Sequence, residues 1–567
     1  MKRRQPLRLN PPASDASITQ VTGLYRSAEA RMLEARAALT LPVGTLMQRA
    51  GSSVAALARA LRPHVRHMLV LAGPGNNGGD GFEAAWRLQA AGVVVEVWWL
   101  GDEERLPADA SDALARARAA GLDIRPTSFG VCGSAAADTA AQQRRAVYAR
   151  TDLVIDALLG RGLTRPVRGA IGQLIDELND QALDVLAVDL PSGLPGDTGW
   201  LAAVPPDGQA PPCVRARWTL ALLSPAPGLW MAHGRDHAGD IWFDDLDVAP
   251  QAQAPAAWLG HAASPGRRST RQHVGHKGSF GDVRVAGGAQ GMSGAATLAA
   301  RAALQAGAGR VFIHGLAPDA GTPDPWTPEL MSATPAPCAV DQAPGLSSPQ
   351  SGQAAAPPPW TAATVVAGCG GGAAITAVLP ELIAHSARLV LDADALNAVA
   401  ADEALRSAVR ARQGSGQATV ITPHPLEAAR LLRCEVGQVQ TDRLASAQAL
   451  ADALQCALVL KGSGSVITAP GCTPCINPSG NAALATAGSG DVLAGWLAGL
   501  WSQVPRRTSV AEAHPAAGVD WAALQALCLR AVWAHGRNAE LSSPQGQALP
   551  ASRQIDALGE RLRAGQF

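Results

Sequence analysis

The chain has 567 residues, more than one ordinary hydrophobic core holds, so two or more domains are expected. Its apolar content of 47% is ample for large cores, and 47 basic side chains balance 47 acidic ones. That formal neutrality argues against an electrostatic nucleic-acid binder. No uninterrupted apolar run reaches membrane-spanning length, and the basic stretch Met1–Arg4 leads into no secretory apolar segment. Nine cysteines stand singly apart from Cys472 and Cys475. With no second pair and no histidine at zinc spacing, these two read as loop thiols. A reduced, cytoplasmic protein without disulfides is expected.

Residues 1–20 read as a polar tail, and 24–63 carry apolar positions at helical spacing. His67–Ala72 is a short apolar run ending in a glycine- and asparagine-rich loop, Gly73 to Gly81. Phe82–Ala90 reads as a helix and Val93–Leu100 as a buried strand. Further strands are expected at Leu153–Asp156, Val185–Asp189, Val214–Leu223 and Gly239–Phe243, with a helix near Ile171–Leu178. Strands alternating with helices imply a parallel sheet covered on both faces. This first domain spans 21–248.

Ligands of an open α/β sheet bind beyond the carboxyl ends of its strands. Three polar clusters sit at such ends. The first is Asn76, Asn77, Gly78, Gly79 and Asp80, whose backbone amides can cradle phosphate. The loop is neither a dinucleotide Gly-x-Gly-x-x-Gly nor a Walker loop. The second is Asp156 with Gly160, Arg161, Gly162, Leu163, Thr164, Arg165 and Pro166. The third is Asp189 to Gly193. Oxygens of Asn77, Asp156 and Ser192 suit a hard monovalent or divalent cation, and Asp189 suits a general acid/base.

Residues 249–268, rich in Ala, Pro, Gln and Ser, read as a linker. A second α/β pattern fills 269–545: a strand at Val283–Ala286 and a helix at Ser293–Gly307, then strands at Arg310–His314, Thr364–Ala367, Leu389–Asp392, Thr419–Thr422, Ala457–Lys461 and Ser465–Thr468. Stretches 317–360 and 503–520 read as surface insertions, and 546–567 as a C-terminal tail. The chain has three lysines, Lys2, Lys277 and Lys461, and the two internal ones lie in glycine-flanked segments. Where arginine serves nearly everywhere else, a retained lysine marks a need for a compact point charge.

Asn481 to Gly495 is the most informative stretch. Gly488-Ser489-Gly490 leads into an apolar helix over Val492–Leu500, and a glycine turn opening a helix is an anion site. Asp491, on the first turn, would repel a phosphate. Its natural task is to take a proton from a hydroxyl that attacks that phosphate.

Leu46 to Gly51, the Asn-Asn-Gly-Gly-Asp-Gly loop, Asp156 to Leu163 and Asp189 to Gly193 occur in order and together resemble the NAD(P)HX epimerase domain. The resemblance implies a Rossmann-like three-layer fold that interconverts the R and S epimers of hydrated NADH and NADPH. It implies that Asn76 to Asp80 and Gly160 to Pro166 hold substrate. Asn77, Asp156 and Ser192 would bind K+, and Asp189 would contact substrate and move the proton. The family often has Lys where this chain has Ala226.

Lys277 to Gly281, Asp392 to Asn397, Thr422 to Glu427, Lys461 to Ser465 and Gly488 to Asp491 resemble the ribokinase-like fold, and within it the ADP-dependent NAD(P)H-hydrate dehydratases. By that resemblance Lys461, Gly462, Ser463, Gly464, Ser465 and Gly490 bind the nucleotide. Ala296, Gly372, His424 and Asp491 touch the hydrated dinucleotide, with Mg2+ and ADP as cofactor and co-substrate. The family's Gly-Pro-Gly-Leu-Gly appears as Gly368 to Gly372 with Cys369 and Gly371, which is expected to loosen that loop. Leu426 replaces a glycine.

The expected whole is a fused enzyme acting on NADHX and NADPHX, tending to self-associate, with no nucleic-acid or membrane partner. Two alternatives stay open on the residues alone. The second domain can be read as a kinase leaving a stable phosphoester, and the first as a binding module without catalysis.

Overall fold

The computed structural model describes residues 6–9, 22–127, 135–163, 165–202, 208, 210–248, 253–260, 271, 273–317, 327–333, 358–505 and 518–567. The chain divides into two compact units, Met1–Trp258 and Leu259–Phe567.

Continuous apolar runs build the first unit's central strands because both of their faces are covered. In His67–Ala72, Met68, Val70 and Ala72 enter one core while Leu69 and Leu71 enter another on the opposite face. The sheet runs Leu7–Arg8, Asp240–Asp244, Trp218–Leu222, Val185–Val188, Leu153–Ala157, His67–Ala72, Val94–Trp99, Asp123–Pro126. All pairings are parallel except the first. From His67–Ala72 the chain first winds outward through Val94–Trp99, then returns to add Leu153–Ala157 on the other side. This doubly wound, Rossmann-like order puts its switch point between His67–Ala72 and Leu153–Ala157, and ligands of such sheets bind at the switch point.

Several expectations need correction. The helix after the glycine loop starts at Asn76, not Phe82, so Asn76 to Gly81 are its first turns. The glycines there serve approach: a Cβ at Gly78 would lie 2.2 Å from the Gly73 carbonyl oxygen. The expected tail 1–20 contributes Leu7–Arg8, paired antiparallel with Trp242 and Phe243, and buries Leu9. Residues 24–63 form two helices, Ser27–Ala38 and Thr45–Leu61. The strand Asp123–Pro126 and helix Ala108–Ala119 lacked a clear sequence signal.

In the second unit the strands run Met331–Ser332, Arg310–Gly315, Asp282–Gly287, Ala363–Ala367, Arg388–Leu391, Ala418–Ile421, Ala457–Leu460, Val466–Thr468, Cys475–Ile476. The pairing is parallel up to Ala457–Leu460 and antiparallel beyond it. Met331–Ser332 and buried Trp360 lie inside a stretch expected to be a surface insertion. Most of 317–360 and 503–520 falls outside the described residues, as does most of the expected linker, in which Ala257–Leu259 is a short strand.

Helix Ser489–Ser502 packs backbone to backbone on helix Ser293–Gln305. A Cβ on Gly495 would stand 1.9 Å from the Ala299 carbonyl oxygen, and one on Gly499 2.4 Å from that of Ala303. The expected C-terminal tail is instead a helix, Ala551–Ala564, whose Ile555 and Leu558 are fully buried in this core. Its polar face hides an apolar stripe spaced three or four residues apart. Ile555→Ala should therefore destabilise the second unit by about 2–5 kcal/mol. Urea unfolding of the full chain checks this, and an unchanged midpoint for that unit would return the segment to a dispensable tail.

Candidate active sites

At the first unit's switch point, Asp156 ends strand Leu153–Ala157 and is fully buried. Its Oδ1 accepts from Ser192 Oγ at 2.6 Å and from the Leu158 N–H at 3.2 Å, and its Oδ2 accepts from the Ser192 N–H at 2.8 Å. Ser192 Oγ also accepts from the Leu159 N–H at 2.8 Å. These donors are neutral, and burial outweighs them, raising the carboxyl to about 6.

Asp189 follows strand Val185–Val188 with φ 64°, a left-handed conformation uncommon for a residue with a Cβ. Such strain concentrates at functional sites. Its Oδ1 is buried, has no hydrogen-bond partner among the described residues, and stands 3.4 Å from Arg161 Nε. A Cβ on Gly160 would lie 3.3 Å from Asn77 Oδ1 and 3.4 Å from Asp189 Oδ2, so the two side chains converge on that bare glycine. Asn77 Nδ2 is likewise buried without a partner among the described residues. Asp80 is half-buried. Loss of solvent, then the charges of Asp189, Glu34 and Glu83, push its carboxyl well above the ordinary range.

The structure thus brings together Asn77, Gly160, Arg161 and Asp189, and joins Asp156 to Ser192. Gly78 and Gly79 are buried in the helix start; Leu163 is half-buried, while Asn76, Gly162, Arg165 and Pro166 are exposed on the same two loops. Thr164 lies outside the described residues. Ala226 is buried, and the cation nearby is Arg161, whose Nη1 reaches Ser224 Oγ at 3.2 Å.

In the second unit Gly488 precedes helix Ser489–Ser502 with φ 85°, and no side chain caps that N-terminus. The Ser489 N–H bonds the Thr486 carbonyl at 3.3 Å and the Val492 N–H the Gly488 carbonyl at 3.0 Å, so the Gly490 and Asp491 amides between them have no intrahelical acceptor and remain as donors. Asp392 ends strand Arg388–Leu391, fully buried, and accepts from Lys461 Nζ at 2.6 Å and Thr422 Oγ1 at 2.8 Å. Burial disfavours the Lys461 ammonium, but Asp392 and Glu427 outweigh it and raise its pKa. A Cβ on Gly490 would lie 3.3 Å from Lys461 Nζ, which sets the ammonium beside the anion turn.

Ligand atoms of Cys369, Asp392 and Asp491 lie within 4.8 Å of one another. Burial, then the charge of Asp392, raises Asp491 to about 6, although the Cys369 thiol and Lys461 pull it back. The buried Cys369 thiol, pushed well above its ordinary range, keeps its proton and donates to Asp491.

His424 caps helix Pro425–Leu432: its Nδ1 accepts from the N–H groups of Leu426 and Glu427 at 3.1 and 3.3 Å. The proton therefore sits on Nε2, 3.1 Å from Glu427 Oε1. Glu427 Oε2 stands 4.0 Å from Lys461 Nζ, which links histidine, glutamate and lysine. Leu426 is exposed, so the departure from glycine there displaces nothing.

The loop Gly368 to Gly372 is not loosened. Gly371 N–H bonds the Gly368 carbonyl at 3.0 Å, and Gly372 N–H bonds Asp394 Oδ2 at 2.8 Å. The Cys369 and Gly370 carbonyls accept from Gly288 and Ala289 at 3.0 and 2.7 Å. Ala296 is buried one turn into helix Ser293–Gln305, against Gly288, as a packed wall beneath this loop.

Lys461 to Ser465 form the hairpin between Ala457–Leu460 and Val466–Thr468. Gly464 is buried, Lys461 and Ser465 half-buried, and Gly462 and Ser463 exposed. Sequence reasoning missed what holds the hairpin. Buried Arg443 donates to the carbonyls of Leu460, Lys461 and Gly464 at 3.2, 3.1 and 3.5 Å. A lone arginine opening a helix gives no sequence signal of that task. Asp392 stands out in the sequence as part of the Asp392 to Asn397 motif, and the structure adds that it holds the site's cation.

Lys461→Ala would leave Asp392 buried without its counter-charge. The expected loss is about 3–5 kcal/mol of second-unit stability, read by urea unfolding at neutral pH. A loss below about 1 kcal/mol would show that Thr422 alone satisfies the carboxylate.

Residues 43–228 match the family described as YjeF-related protein N-terminus, and residues 283–555 the family described as NAD(P)H-hydrate dehydratase. A bifunctional NAD(P)H-hydrate repair enzyme from Leishmania braziliensis is 34% identical over 493 residues, covering 83% of this chain and 82% of the relative. The corresponding enzymes of Moorella thermoacetica and Escherichia coli are 34% and 33% identical, over 82% and 83% of this chain and 84% and 83% of their own. An ADP/ATP-dependent NAD(P)H-hydrate dehydratase from Bacillus subtilis, co-crystallised with ATP/Mg2+, is 25% identical, covering 52% of this chain and 94% of its own, at a TM-score of 0.39.

Proposed function

Because the chain belongs to the bifunctional NAD(P)H-hydrate repair enzymes, we propose that its first unit epimerises R and S NADHX and NADPHX and its second dehydrates the S form with ADP. The observation that carries the dehydratase reading is the placement of Asp491: a carboxyl raised to about 6, on the first turn of an uncapped helix whose Gly490 lies against Lys461.

The substrate's C6 hydroxyl loses its proton to Asp491. Its oxygen attacks the terminal phosphorus of ADP, whose phosphate rests on the amides of the Gly488–Gly490 turn and beside Lys461. The P–O bond to AMP breaks. The new C6 phosphate ester is a good leaving group, and the ring nitrogen's lone pair expels it. NADH or NADPH, AMP and phosphate result. Lys461 to Ser465 and Gly490 hold the nucleotide; Ala296, Gly372 and His424 wall the hydrated nicotinamide. The residues fit Mg2+, because Asp392 and Glu427 offer carboxylate oxygens beside Lys461. A magnesium nucleotide needs only one or two such ligands. The protonated thiol of Cys369 is not one of them.

In the first unit Asp189 is the proton-transfer group, and burial and the charge of Asp189 push the carboxyl of Asp80 towards its protonated form. A pair of carboxyls in unlike environments divides acid from base in this way. Asn76 to Asp80 and Gly160 to Pro166 hold the dinucleotide, and Arg161 supplies the positive charge that Ala226 does not. K+ would balance Asp156 beside Ser192, with the unpartnered amide of Asn77 turned to offer its oxygen. By resemblance the enzyme is cytoplasmic and self-associating; no described helix is long and apolar enough to cross a membrane.

The deciding experiment follows absorbance at 340 nm from mixed R/S NADHX with Mg2+, K+ and ADP. Wild type should recover all the NADH. Asp189→Ala should stop at the S fraction, and Asp491→Asn should lower the ADP-dependent rate by about 100- to 10,000-fold. The wild-type dehydratase kcat/KM should fall as pH drops below about 6, where Asp491 takes up a proton. Nucleotide consumed into a stable phosphoester would move the second unit to the kinase reading. Full recovery by Asp189→Ala would leave the first unit a binding module.

Asp156 tests the cation. Its folded pKa is raised, so the folded unit binds the extra proton, and stability falls as pH rises from about 4 to 6. K+ should raise the first unit's Tm at pH 7 more than Na+ does, with the gain shrinking at pH 5. Equal Tm values in the two salts at pH 7 would remove K+ from this site.

A further inference from the structure

The helix Ala551–Ala564 does more than close the core, because its Gln554 reaches the phosphate turn. Gln554 is fully buried. Its Oε1 accepts from Ser489 Oγ at 3.2 Å and lies 3.0 Å from His535 Nε2. An amide oxygen only accepts, so His535 carries its proton on Nε2. Gln554 Nε2 donates to the Leu549 carbonyl at 2.8 Å and to Thr486 Oγ1 at 3.3 Å. Thr486 Oγ1 in turn donates to the same Leu549 carbonyl at 3.0 Å. The amide is thus saturated on both ends, and its partners Thr486 and Ser489 flank Gly488.

Serine and threonine beside a helix N-terminus ordinarily turn their hydroxyls onto its free amides. Here neither does: helix Ser489–Ser502 has no side-chain cap, although two hydroxyls stand within three residues of Gly488. Both are drawn to the Gln554–Leu549 pair instead. Asn538 Nδ2 donates to the Gln554 carbonyl at 3.1 Å, which fixes the glutamine's own helix in place.

We propose that Gln554 is a positioning residue for the nucleotide: by holding the hydroxyls of Thr486 and Ser489 it keeps the Gly488–Gly490 turn in shape and leaves the Gly490 and Asp491 amides free for the phosphate of ADP. The proposal rests on the reading that this turn is the phosphate site. Gln554 touches neither substrate and moves no proton. Its effect is on nucleotide affinity, while apart from Asp491 the residues that would hold the hydrated dinucleotide, Ala296, Gly372 and His424, lie on other segments.

The test is steady-state kinetics on the full chain. Gln554→Leu should raise the KM for ADP about ten-fold, the size of one or two buried hydrogen bonds, while the KM for S-NADHX stays within about two-fold. Ser489→Ala, a milder variant that keeps the backbone, should raise it about three-fold. The double variant should be no worse than Gln554→Leu alone, because the two changes break one shared interaction. A merely structural role would lower Tm and leave the ratio of the two KM values unchanged, and that result would overturn the proposal. If Gln554→Leu does not fold, Ser489→Ala decides on the same ratio. Gly490→Ala separates the two failures, since its methyl would crowd Lys461. An unchanged KM for ADP there overturns the phosphate reading and this proposal with it. A raised KM there with unchanged Gln554→Leu and Ser489→Ala values overturns this proposal alone.

Discussion

A carboxylate taken out of water loses hydration worth several kcal/mol, and only a partner at contact distance offsets that loss. Asp392 finds its partner in Lys461 at 2.6 Å, with Thr422 adding a second donor. The pair ties three successive strand ends together, since Asp392, Thr422 and Lys461 follow Arg388–Leu391, Ala418–Ile421 and Ala457–Leu460. It also explains why one of three lysines in an arginine-rich chain stands here. An ammonium fits between Asp392, Glu427 and Gly490 where a planar guanidinium would need a wider berth. Lys461 is the direct partner of Asp392, and burial, then the charge of Asp392, raises the pKa of Asp491 beside them.

The first unit meets the same constraint with different means. Asp156 is as deeply buried, yet its partners are neutral hydroxyl and amide donors from Ser192 and Leu158. The negative charge is solvated but not cancelled. Asp189 is held in a left-handed conformation, with one oxygen that has no hydrogen bond among the described residues and stands 3.4 Å from Arg161 Nε. One unit therefore places a resident cation from its own chain, while the other leaves a charge to be balanced from outside.

The architecture was legible wherever burial is two-sided. His67–Ala72 and Leu153–Ala157 are unbroken apolar runs because both faces of their sheet are covered, and the glycine turns stand out because few other residues fill such loops. What escaped was polar chemistry inside the core. Arg443 and Gln554 belong to helices whose sequence reads as ordinary surface, and only three-dimensional contact shows that they brace the Lys461–Ser465 hairpin and the hydroxyls flanking Gly488. The same blindness turned 546–567 into a tail. It also put the start of helix Asn76–Ala90 six residues late, since glycine and asparagine are poor helix formers and win here only through close packing on Gly73 and Met47. Cys369 was read as a loosening of its loop, because backbone hydrogen bonds to Gly288, Ala289 and Asp394 leave no trace in composition.

The bare faces of Gly495 and Gly499 carry one more meaning. With carbonyls of the neighbouring helix occupying the space a methyl would need, helix Ser489–Ser502 is keyed against helix Ser293–Gln305 in both height and rotation. Side chains can hop between rotamers to absorb a small slip, but two backbones in contact cannot. The bearing of Asp491 is thus inherited from an interlock about one and two turns further along the same helix. A reacting group mounted on a glycine turn, the most pliant element a chain can offer, gains in this way the stiffness of the sheet's supporting layer.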